Sequence, residues 1–186
     1  ELGLIYLAQG RDELARLVLG KAGELDKDDP AVYNAMALVA LGDGNDQLAF
    51  QYFDRASELD PSYVDTRFNK ASVLIDAGDY ERAKAELDLI LSAAPDDLAA
   101  LNALGIAQRG IGKLEQARKT WEDVVKRAPR RSMTRGNALF NLAILEADFI
   151  MDDAKAIAAL DRYLQNSSSK HPRRKEAEEL KKELGP

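Results

Sequence analysis

Small and large apolar residues recur along this chain at one fixed interval. Ala37, Ala71 and Gly105 stand 34 residues apart, Ala49, Ala83 and Ala117 keep the same interval, and Phe53, Leu87 and Trp121 follow that second set. Each interval holds two runs of helical periodicity, a turn that usually carries glycine, and a closing proline at Pro61, Pro95 or Pro129. The segment 98–131 is the clearest copy. Leu104-Gly105 falls midway along its first run, Gly112 breaks that run, Ala117, Trp121 and Val124 mark one face of the second, and Pro129 ends it. The pattern predicts an all-α chain of helix-turn-helix units, with Ala37, Ala71, Gly105 and Ala143 small so that paired helices can approach closely. An unrelated helical bundle has no reason to repeat alanine and proline at one spacing.

The register divides the chain into copies at about 1–29, 30–63, 64–97, 98–131 and 132–168, followed by an amphipathic helix over 172–184. The first copy lacks the opening of its first helix, so the fragment is expected to begin inside a longer protein. Lys70 stands where leucine is usual, so either its stem snorkels along the helix pair or the repeat is locally loosened. The fifth copy is irregular: one residue more separates Ala143 from Ala156 than separates the matching pairs elsewhere, and Ile150-Met151-Asp152 replaces the glycine. The polar run 165–170, with Ser167-Ser168-Ser169, reads as a loop.

A 34-residue helix-turn-helix repeat with small residues at the crossings and proline at the end resembles the tetratricopeptide repeat (TPR) family, from Leu2 to about Ser168. The resemblance implies a right-handed superhelical solenoid of about five repeats, the first truncated, with a C-terminal capping helix, forming a single domain over 1–186. It also implies that function resides on the concave face lined by the first helix of each repeat. Carried over copy by copy, the groove positions include Asn34 and Leu38, then Phe68, Asn69 and Ser72, then Asn102, Ile106 and Arg109, and then Phe140, Asn141 and Ile144. Asparagine amides can bond both N–H and C=O of an extended backbone, and the aliphatic and aromatic residues offer pockets. The same residues could instead pack between neighbouring helices. A clamp for an acidic chaperone tail is disfavoured because Arg109 alone is basic among these positions, so the partner is expected to be more apolar.

Charge refines this picture. Lys plus Arg minus Asp plus Glu is 26 − 32 = −6, which disfavours a nucleic-acid partner. Basic residues nevertheless gather at Lys126-Arg127, Arg130, Arg131 and Arg135, and again at Lys170 and 173–175. They could form an edge for an acidic partner, or simply complement helix C-termini.

Catalytic chemistry finds no constellation. The chain has no Cys and one His, expected in a mobile loop, so neither a thiol nucleophile, a His-based triad nor a multi-histidine metal site can be assembled, and no cofactor or metal is expected. Acid pairs such as Asp28-Asp29, Asp96-Asp97 and Asp152-Asp153 stand at helix starts and are expected to cap them. The sequence thus points to a non-enzymatic scaffold or adaptor that binds a peptide or helix of another protein, of unknown oligomeric state. Its repeat style resembles bacterial TPR lipoproteins of cell-envelope machines, of the gliding-motility or pilus type. That favours the periplasmic or envelope side over the cytoplasm and leaves room for an upstream lipid anchor. A regulatory TPR domain of a larger enzyme is the competing reading.

Overall fold

A computed structural model describes residues 2–167 and 170–185. Among them run eleven α-helices, one π-helical turn and no strand. They are α1 (Leu2–Ala8), α2 (Asp12–Leu25), α3 (Pro30–Gly42), α4 (Asp46–Leu59), α5 (Val64–Asp76), α6 (Tyr80–Ala93), α7 (Leu98–Gly110), α8 (Leu114–Arg127), α9 (Met133–Ile144), α10 (Asp153–Asn166) and α11 (Arg174–Leu184). The π-helical turn, Leu145–Ile150, continues α9. The final helix therefore starts two residues later than the expected 172. The serine run at 168–169 lies outside the described residues.

Helix starts follow local chemistry. Asp29 accepts from the Ala31 N–H with Pro30 at the first helical position, where a missing N–H is harmless. Asn45, Asp79, Asp97, Ser132 and Asp152 each cap the following helix by accepting from a backbone N–H in its first turn. Three of the acid pairs are thus capping residues, as their positions suggested.

The chain forms two compact units, 1–70 and 71–186, with the division inside α5. In the first, α1 pairs with α2 and α3 with α4, and Ala15, Leu19, Ala35 and Val39 form a buried cluster against Tyr6, Leu7 and Met36. The Lys70 side chain is only 13% exposed and donates to Asp54 at 2.8 Å, which agrees with the snorkelling alternative. In the second, Trp121, Val124, Leu139, Phe140, Leu145, Leu160 and Tyr163 are fully buried in one core.

One size rule builds each hairpin. The alanine near the start of the second helix, Ala15, Ala49, Ala83, Ala117 or Ala156, is fully buried, and in the first and fourth hairpins the glycine of the first helix faces a large residue on the second. A Cβ on Gly3 would stand 2.5 Å from Leu19 Cγ, and one on Gly105 2.5 Å from Trp121 Cε2. Glycine at 105 is what admits an indole, whose Nε1–H then donates to the Asn102 carbonyl at 3.0 Å.

The irregular fifth turn has a simple construction. In the other hairpins the residue after a left-handed glycine (Gly10, Gly44, Gly78 or Gly112) donates its N–H to a carbonyl five residues back, as Asn45 does to Ala40. In the fifth, Asp152 donates to Glu146, six residues back, and Met151 takes the left-handed conformation at φ 60°. The extra residue is absorbed as a π-helical turn, a common accommodation of single insertions.

Candidate functional site

The expected groove residues occupy three different environments. Leu38, Ile106 and Ile144 each follow a buried small residue on a first helix (Ala37, Gly105 and Ala143) and remain half-buried. Ser72 holds the equivalent place after Ala71 and is also half-buried, as is Phe68. These side chains keep open surface on helices whose neighbouring face is closed.

The asparagines are engaged with each other. Asn69 Nδ2 donates to Asn34 Oδ1 at 3.0 Å in the first unit, and Asn141 Nδ2 approaches Asn102 Oδ1 at 3.5 Å in the second. The two pairs are built alike, since Asn34 and Asn102 lie three residues before their small crossing residue and Asn69 and Asn141 lie two before theirs. Asn34 and Asn141 are buried. The amides therefore join successive first helices, the packing role that the sequence left open for them.

Phe140 departs from expectation. It is fully buried, edge-on to Tyr163 at 5.6 Å between ring centroids, and roofed by the Arg173 guanidinium 3.8 Å from its centroid. In this arrangement it is a core residue and offers no open pocket. Arg173 is itself held by two hydrogen bonds to Glu176 on α11. Arg173, at the N-cap of α11, thus closes Phe140 from outside the repeats, and α11 packs on α10.

The lone histidine is corrected as well. His171 is buried rather than held in an open loop: its ring sits edge-on to Tyr163, Nδ1 lies 2.7 Å from the Tyr163 hydroxyl, and Gly136 leaves space for its Cδ2 and Nε2. Burial pushes its pKa below the ordinary value, opposed by the Met133 carbonyl and aided by Arg173. The signal that could have shown this was Gly136, a glycine without a turn to explain it.

Among the basic residues, Arg130 and Arg131 are exposed, the latter with a left-handed backbone at φ 62°. Arg135 behaves differently. Its Nη1 donates to the Val125 and Ala128 carbonyls, so it completes the C-terminus of α8. Arg127 pairs with Asp123 and Asp96. One ion pair went unseen in the sequence: Arg118 donates to both oxygens of buried Glu146, at 2.7 and 3.0 Å, tying α8 to the π-helical turn.

Arg109 lies at the end of α7, its guanidinium 5.9 Å from the Trp121 ring centroid and 5.0 Å from that of Phe149. Burial lowers its pKa from the ordinary arginine value, while Tyr80 and Asp148 raise it. Phe149 is 46% exposed. Among the described residues no cluster of His and carboxylate ligands could hold a metal ion, and no helix is long and apolar enough to cross a membrane.

Residues 40–105 match one family model described as tetratricopeptide repeat, and residues 100–130 match a second of the same description. These matches identify tetratricopeptide repeats within residues 40–130, and the hairpin geometry above is that of a TPR fold. Several solved structures share the fold. The structure described as a functional characterisation of Pseudomonas aeruginosa PilF superposes with a TM-score of 0.77 at 20% identity, covering 98% of this chain and 85% of that one. PilW, described as a widely conserved type IV pilus biogenesis factor, gives 0.79 at 15% identity over 98% and 87%. YrrB, described as a TPR protein with an unusual peptide-binding site, gives 0.73 at 20% identity over 97% and 88%. No curated protein sequence matches the chain.

Proposed function

We propose that the chain is a non-enzymatic adaptor that holds a peptide or helix of another protein against the first helices of its repeats, within a bacterial assembly of the cell-envelope or motility kind. The observation that carries this reading is made in each unit separately: Leu38 in the first, and Ile106 and Ile144 in the second, are partly buried and keep accessible surface directly beside fully closed residues. Apolar side chains at equivalent register on rigid helices suit the alternate side chains of an extended partner or one face of a helical one. The description of YrrB as having a peptide-binding site supports the first half of the reading, and that of PilW as a pilus biogenesis factor supports the second.

The test is a selection of peptides from a displayed library on the full chain, with affinities then measured by fluorescence anisotropy. Leu38→Asp and Ile144→Asp are each expected to weaken a selected peptide by more than about tenfold, or roughly 1.4 kcal/mol. Reversing Arg130 and Arg131 to Glu is expected to change only a salt-dependent association rate. Binding that survives both groove variants and vanishes with the arginine reversal would place the site on the basic edge.

A further inference from the structure

We infer that the second unit carries a recognition point for an acidic side chain of the partner segment, formed by the Arg109 guanidinium with the neighbouring open ring of Phe149. This rests on the adaptor reading and adds the chemistry of one partner residue to it.

Arg109 is unusual among the described arginines in the surroundings it is given. Its guanidinium is held near two aromatic rings, with Trp121 fully buried and Phe149 nearly half open, and it forms neither a hydrogen bond nor an ion pair among the described residues. Arg16, Arg118, Arg127 and Arg173, by contrast, all have a carboxylate in hydrogen-bond contact. A partly desolvated cation with no carboxylate in direct contact is held at a cost, which an arriving carboxylate would offset through two parallel N–H···O bonds. Aromatic rings beside the cation keep water away and fix the guanidinium plane, so that less side-chain freedom is lost on pairing.

The charge around the site favours one acid rather than several. Arg173 adds positive potential at Arg109, whereas the Asp148 carboxylate offsets it. A single Asp or Glu side chain is matched by that balance, and an acidic run is not. Phe149, exposed beside it, supplies apolar surface for a residue flanking the acid. The partner chemistry is therefore an acidic residue within an otherwise apolar segment.

The experiment uses the full chain and an arrayed set of nonapeptides, acetylated and amidated so that no terminal charge remains, each with a central Glu or its Gln counterpart flanked by Leu, Ile or Phe. The Glu members are expected to bind about tenfold more tightly than their Gln counterparts. Arg109→Gln is expected to abolish that difference while leaving the weaker apolar binding. Phe149→Ala should weaken both kinds of peptide and keep the preference, and circular dichroism of both variants reports that they fold. Equal binding of Glu and Gln members to the unaltered chain, or a preference that survives Arg109→Gln, overturns this inference and leaves the adaptor reading standing. Binding that requires a free C-terminal carboxylate also overturns it, and no binding of any nonapeptide overturns both.

Discussion

The amide of Asn69 donates to the amide oxygen of Asn34 at 3.0 Å, joining two successive first helices where 95% of the Asn34 surface is closed to solvent. Removing one partner of a buried hydrogen bond strands the other, which typically costs about 1–3 kcal/mol. Asn69→Ala should therefore lower unfolding stability by that amount in urea titrations. Asn34→Ala should do the same, and neither should change peptide affinity beyond what the lost fold explains. Variants of unchanged stability but strongly reduced affinity would return these amides to the binding face.

Met151 is the residue that stands where the other turns carry a left-handed glycine. A non-glycine residue in that conformation costs about 1 kcal/mol. Met151→Gly should raise stability by roughly 0.5–1 kcal/mol and the melting temperature by a few degrees. A lower melting temperature would mean that the methionine side chain contributes packing that outweighs its backbone strain.

Gly105 and Gly110 separate two kinds of close approach. An added Cβ at 105 meets the indole of Trp121, which is fully buried and fixed by its bond to the Asn102 carbonyl, so Gly105→Ala should cost about 1–3 kcal/mol or more. An added Cβ at 110 would stand 2.5 Å from Tyr80 Cδ1, so this glycine is also at a contact although it lies at a helix end. Tyr80 is only partly buried, whereas Trp121 is fully buried. Gly110→Ala should accordingly cost less, as compared by thermal melting.

His171 makes stability depend on pH in a fixed direction. Its pKa is lowered in the fold from the ordinary histidine value of about 6.5, so the unfolded chain binds the proton more readily. The stabilisation from burying the neutral ring is fully present above about pH 6.5 and is lost as pH falls below it towards the folded pKa. Urea midpoints should drop between pH 7.5 and 5.5 by more for the unaltered chain than for His171→Gln. Equal drops would show that the ring is not neutral and buried as described.

How much of this was readable beforehand depends on how local each feature is. The hairpins were legible because Ala15, Ala49, Ala83, Ala117 and Ala156 each mark one buried crossing, and the added residue before Ala156 announced an irregular turn without revealing its π-helical form. The groove was legible only in part. Register alone assigns Leu38, Ile106 and Ile144 to one row, but whether Asn141 or Phe140 stays open depends on what the next helix brings against it. Arg173 reaches Phe140 from beyond the repeats, at a place where no motif predicts an arginine. The burial of His171 and the Arg118–Glu146 pair are likewise long-range contacts, and polar residues in a polar stretch carry no periodic signal of them.

Methyl NMR on the chain labelled at Leu and Ile tests the adaptor reading most directly, because the accessible apolar positions on the first helices of each unit carry those probes. On titration with a library-selected peptide, the Leu38, Ile106 and Ile144 methyls should shift or broaden, while Leu19 and Leu160, buried in their cores, should change little. Shifts confined to the neighbourhood of Arg130 and Arg131, with Leu38, Ile106 and Ile144 unmoved, would contradict the account.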